Sequence, residues 1–109
     1  MKAKLIFERE DQDHESTVLR VKGDVTIHTS PSLREQLKPL FSSQQKRIHI
    51  LLNDVDFMDS SGIATLVEGL QWARQSGGRF VLSGLSDNVR DIFELSKLDT
   101  IFDIENSTA

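Results

Sequence analysis

The stretch from Arg47 to Leu85 constrains this chain most. Ile48, Ile50, Leu51 and Leu52 form a nearly continuous apolar run, the pattern of a short strand covered on both faces in a parallel sheet. Downstream, Ile63, Leu66, Val67, Leu70 and Ala73 recur three and four apart over residues 60–76, and Gly77-Gly78 stops the pattern. That periodicity predicts a helix. Arg79 to Leu85, built on Phe80, Val81 and Leu82, reads as the next strand. Strand, helix and strand in close succession make a right-handed crossover unit, which requires a sheet to complete it.

The rest of the chain supplies one. Residues 3–9 centre on Leu5, Ile6 and Phe7, and residues 17–22 alternate from Thr17 to Lys22 before Gly23. The acidic turn Asp11 to Glu15 suits a hairpin between them. Thr29-Ser30-Pro31-Ser32 opens a helix, with Ser30 as cap and Pro31 in its first turn, or with Ser32 and Glu35 as a capping box. Leu33, Leu37, Leu40 and Phe41 fall on one stripe of it, and Pro39 is expected to kink or shorten it. Ser86-Asp87 begins a third helix with Val89, Ile92 and Phe93 inward, and Ile101 to Ile104 is a candidate last strand. The expectation is an α/β fold in one domain, 1–109, with helices packed against a mixed sheet.

Composition narrows the function. Thirteen Lys and Arg against seventeen Asp and Glu leave a net charge of −4, which argues against direct nucleic-acid binding. Without cysteine, thiol catalysis, disulfides and Cys-ligated metals are excluded. No run approaches the ~18 apolar residues of a membrane span, and the charged N-terminus does not read as a secretory leader. The expected setting is cytoplasmic, without membrane insertion. His14, His28 and His49 are scattered, no Gly-x-Ser-x-Gly elbow or phosphate-binding Gly-x-x-x-x-Gly-Lys loop occurs, and neither an enzyme nor a metal or cofactor site is indicated.

One segment carries chemistry. Asp54-Val55-Asp56-Phe57-Met58-Asp59-Ser60-Ser61-Gly62 leads from the central strand into the second helix, so two hydroxyls sit at a helix N-terminus behind three carboxylates. The unpaired amides and positive dipole end there favour an anion. Gly62 is expected to leave the approach to the hydroxyl open. The same residues also fit plain helix capping by Asp59 or Ser60.

This Asp-x-x-x-x-Asp-Ser-Ser-Gly stretch resembles the signature of STAS domains, named for sulphate transporters and anti-sigma factor antagonists. The likeness extends through Gly23-Asp24-Val25-Thr26, Pro31-x-Leu33-Arg34-x-x-Leu37, Gly77-Gly78, Leu82-Ser83-Gly84-Leu85, Val89-Arg90-x-Ile92-Phe93 and Leu98-Asp99 before Ile101-Phe102. The resemblance implies a four- to five-stranded sheet with helices mainly on one face. It also implies a non-enzymatic protein-binding switch. In stand-alone bacterial members the second hydroxyl of the motif is phosphorylated by an anti-sigma factor that is also a serine kinase, and a metal-dependent, PP2C-type phosphatase removes the phosphate. The acceptor is then Ser61 (alternatively Ser60), with Asp59 before it, in a monomer or weak homodimer. Many antagonists read Gly-Glu-Leu-Asp where this chain has Gly23-Asp24-Val25-Thr26, so Thr26 lacks that carboxylate and Asp24 is its nearest substitute. The family also includes accessory subunits of phospholipid-transporting ABC transporters and signalling-complex adaptors, which remain alternatives.

A phosphate adds about −1.5 to −2 charges. Repulsion from Asp59 at ~6 Å, ~3 kcal/mol at an effective dielectric near 20, is reduced by solvent and offset in part by the helix end. The fold is expected to survive modification while a partner is released. On a helical wheel Ile63, Leu66, Val67 and Leu70 centre the inward stripe. Ser61, Thr65, Glu68, Gly69 and Trp72 are expected on the opposite side. The expected partner surface is thus Asp24, Thr26, Asp59, Ser60, Ser61, Gly62, Thr65, Glu68 and Trp72, with the indole as an anchor.

Overall fold

The structure, a computed structural model, describes residues 4–42 and 46–105; Ala3, where the predicted first strand begins, lies outside them. Five strands form one sheet in the order β1-β2-β3-β4-β5. β1 (Ile6–Asp11) and β2 (Ser16–Lys22) make the antiparallel hairpin. β3 (Arg47–Asp54), β4 (Arg79–Ser83) and β5 (Asp103–Glu105) then add in parallel. The links are α1 (Ser30–Ser42), α2 (Ser60–Ser76) and α3 (Asp87–Leu95), the last followed by a 3-10 turn, Leu98–Thr100.

The strand order explains where the core lies. Parallel strands added one after another, with crossovers of a single hand, send every helix to the same side of the sheet. Leu19 and Val21 of β2, Ile48, Ile50 and Leu52 of β3, and Leu82 of β4 are buried on that side. Leu33, Leu37, Leu40, Leu66, Val89 and Phe93 of the helices pack onto them. The expectation that β3 is covered on both faces is therefore corrected: its burial alternates, and His49 and Leu51 are only half-buried on the open face. That face is shielded by long charged side chains, with Arg20 bridging Glu8 and Asp54 at 3.6 Å each.

Smaller differences have local causes. β1 runs on to Asp11 because Asp11 still pairs with Thr17 and its Oδ1 accepts the Thr17 hydroxyl at 3.0 Å, which leaves residues 12–15 as the turn. Pro39 does not end α1. The carbonyl it would have bonded is that of exposed Glu35, where water can replace the lost amide. The last strand starts at Asp103 because Ile101 closes the 3-10 turn, its amide donating to the Leu98 carbonyl at 3.1 Å. α2 stops where expected, Gly77 taking the left-handed conformation at φ 74°.

Candidate functional site

Parallel strands leave their following loops at one end of the sheet. Residues 23–29, 54–59 and 84–86 form that end here. Two of these loops are stitched together. The Gly23 amide donates to the Asp54 carbonyl at 3.1 Å, the Val25 amide to the Phe57 carbonyl at 3.0 Å, and the Asp59 amide to the Val25 carbonyl at 3.0 Å. Val25 and Met58 point inward and are buried, so this platform is continuous with the core. The Asn88 side-chain amide donates to the Asp56 carbonyl at 3.4 Å, which ties in α3.

The helix cap is Asp59. Its Oδ1 accepts the Ser61 and Gly62 amides at 2.9 and 3.2 Å, and its Oδ2 accepts the Ile27 amide at 3.0 Å. The Ile63 amide bonds to the Asp59 carbonyl at 3.1 Å. The donors expected to await an anion are thus already occupied by the protein's own carboxylate. Ser60 is exposed and Ser61 half-buried. Gly62 is buried, and its role differs from the expected one: a Cβ there would lie 2.6 Å from Met58 Cγ and 2.7 Å from Val25 Cγ1. Its missing side chain lets α2 sit down on the platform.

The helical wheel also needs correction. The inward stripe of α2 is Gly62, Thr65, Leu66, Gly69, Leu70 and Ala73, while Ile63 and Val67 lie half-buried at its edge. Thr65 is only 5% exposed, and its hydroxyl donates to the Ser61 carbonyl at 3.0 Å. Two small residues and a hydroxyl that turns back on its own helix let the helix axis come closer than a stripe of large aliphatics would. Glu68 is half-buried and accepts Arg34 Nε at 3.0 Å across to α1. Trp72 lies eleven residues from Ser61, or ~16 Å along a helix. It packs on Phe41, ring centroids 5.8 Å apart, with the Arg34 guanidinium 5.6 Å above its ring. The structure therefore groups Asp24, Thr26, Asp59, Ser60, Ser61 and Gly62, buries Thr65 beneath Ser61, and sets Glu68 and Trp72 apart from them.

Asp24 is exposed. Thr26 is half-buried and shapes the turn: its carbonyl accepts the Thr29 and Ser30 amides at 3.1 and 2.7 Å, and its hydroxyl accepts the His28 amide at 3.1 Å. Sequence reasoning missed two residues on this platform, Ile27, 65% exposed, and Phe57, 47% exposed. The available signal was an apolar residue in each polar loop, outside any strand or helix period. Asp24, Asp54, Asp56 and Asp87 are exposed in or beside the same loops, and residues 23–29, 54–59 and 84–86 contain no Lys or Arg. His49 lies on the open sheet face, its Nε2 2.8 Å from Ser83 Oγ. Among the described residues no cluster of His, Asp and Glu is arranged to hold a metal, and no helix is long and apolar enough to cross a membrane.

The STAS domain family matches residues 8–109. The anti-sigma-B factor antagonist of Bacillus subtilis (strain 168) is 31% identical over 93 residues, 85% of this chain and 84% of that protein. Among solved structures, the anti-sigma factor antagonist SpoIIAA in its unphosphorylated form superposes with a TM-score of 0.82 at 24% identity, covering 94% of this chain and 89% of that one. The Bacillus cell fate determinant SpoIIAA in its phosphorylated form gives 0.75 at 23% identity, covering 94% and 92%.

Proposed function

The chain belongs to the STAS domain family, and from that premise we propose that it is an anti-sigma factor antagonist switched by phosphorylation at Ser61. In the unmodified state the platform around Ser61 docks on an anti-sigma factor with serine-kinase activity in the cytoplasm. Transfer of a phosphoryl group to Ser61 ends the complex, and a PP2C-type phosphatase restores it. The protein acts by binding and carries out no catalysis of its own.

One observation supports this reading above the others: Asp59 already occupies the α2 amides beside Ser61. A phosphate on the Ser61 hydroxyl gains little from the helix end and enters the interface as an uncompensated dianion of about −1.5 to −2 charges. A kinase must also bring its nucleotide phosphates to that oxygen, so after transfer two sets of anionic oxygens face each other. Burying such a charge without cationic partners costs several kcal/mol, and each ~1.4 kcal/mol is tenfold in affinity. Within the free domain the group faces solvent, and the fold is retained. Ile27 and Phe57 provide apolar contacts of the kind that anchor interfaces, with the carboxylates as a polar rim.

The test is capture from native lysate by wild type, Ser61→Ala and Ser61→Asp. The reading expects a kinase-type anti-sigma factor on the first two and its loss on the third. Equal recovery of a transporter ATPase by all three would instead assign the chain to a lipid-transport complex.

A further inference from the structure

Asp59 has no carboxylate oxygen to spare. Oδ1 is shared by two amides of α2, and Oδ2 holds the Ile27 amide, 32 positions earlier in the chain. The turn that carries Ile27 is otherwise bonded mostly to itself. The Thr26 amide donates to the Thr29 hydroxyl at 2.8 Å, that hydroxyl donates to the Asp24 carbonyl at 2.8 Å, and the His28 amide donates to the Thr26 hydroxyl at 3.1 Å. The turn is thus a small stiff body, and the Asp59 carboxylate is the side chain that clamps it to the start of α2. Ile27 leads from that body into solvent, an apolar side chain held in place before anything covers it.

We infer that Asp59 acts on the docking partner through Ile27, as a positioning residue that clamps the Thr26–His28 turn beside Ser61. The inference rests on the docking role proposed above. Holding the turn in advance removes the ordering that association would otherwise require, so loss of the clamp weakens binding although no partner contact is deleted. Asparagine separates the two duties of this side chain. Its single carbonyl oxygen can still cap the α2 amides, and Asn is a good cap. Its NH2 group then faces the Ile27 amide donor-to-donor and cannot accept from it.

The experiment has two arms. In the first, amide hydrogen exchange is followed by NMR in free wild type and Asp59→Asn. The Ile27 amide should exchange about tenfold faster in the variant while the Ser61 and Gly62 amides keep their protection; an unchanged Ile27 amide overturns the inference. This arm needs no partner, so it decides the clamp even if docking at Ser61 proves wrong. In the second, affinity for the captured anti-sigma factor is measured for Asp59→Asn, Ile27→Ala and the double variant. Each single change should weaken binding about tenfold and the double variant hardly further, the signature of coupled residues. Fully additive losses would show that Asp59 touches the partner itself, and would reject the inference while leaving the docking role intact.

Discussion

The two ends of the parallel sheet are built on opposite electrostatic plans. Where the parallel strands begin, charges meet counter-charges: Arg47 with Asp13 at 3.7 Å, Lys46 with Glu15 at 3.5 Å, and Arg79 with Asp103. Its hydrogen bond to the Asp103 carboxylate pushes the Arg79 guanidinium further up from its ordinary value. Where those strands end, Asp24, Asp56 and Asp87 are exposed in or beside the loops that carry Ile27 and Phe57, Asp54 meets Arg20 of β2 at 3.6 Å, and the three loops contain no Lys or Arg. Exposed ion pairs contribute little to stability, so the paired end is not where the fold gains its strength. The pairing leaves that end electrically complete. At the other end Asp24, Asp56 and Asp87 have no ion pair among the described residues, and a surface so charged is one that a second molecule can complete.

Several changes probe this contrast, beginning with the largest. Gly62→Ala places a methyl group against Met58 and Val25, beneath the end that carries the serines. It should destabilise the domain by roughly 1–3 kcal/mol, the usual range for overpacking, seen as a lower midpoint in urea. An unchanged midpoint would mean that α2 does not seat as closely as described. Trp72 lies toward the paired end, so Trp72→Ala should remove about 1–2 kcal/mol of packing on Phe41 and leave partner affinity within about twofold. A large affinity loss with normal stability would extend the docking surface along the whole of α2.

Acid should act first at the hairpin turn. The Arg9 hydrogen bond, with that from Thr17, holds the Asp11 carboxyl below its ordinary 3.8, and the Glu15 amide does the same for Asp13. A carboxyl lowered in the folded state contributes stability that is complete above its unfolded pKa and fades as pH falls through the folded one. Protection factors of amides in the 11–17 turn, taken against the intrinsic exchange rate at each pH, should therefore fall below about pH 4 before those of β3 respond. Simultaneous loss in both places would contradict a local role for Asp11 and Asp13.

The sequence revealed the architecture more readily than the surface. Helical periodicity placed α2 at its observed bounds because large aliphatics mark one side of a helix well. It misplaced the helix's facing, since the closest contacts are made by Gly62, Thr65 and Gly69, which such a pattern counts as polar or neutral. The dense apolar run of β3 suggested two covered faces, and the strand order decided otherwise. At the site, the motif marked Asp59, Ser60 and Ser61. The bond from Ile27 to Asp59 joins residues that only the folded backbone brings together, and no local pattern encodes it.

The central claim is that charge at Ser61 governs docking without disturbing the fold. Its most direct test is calorimetric titration of the captured anti-sigma factor with two forms of this chain, one with serine and one with phosphoserine installed at position 61, alongside their thermal unfolding. The account predicts at least a hundredfold weaker binding by the phosphorylated form, about 2.7 kcal/mol, with melting temperatures within about 2 °C of each other. Equal affinities, or a phosphorylated form that no longer folds, would contradict it.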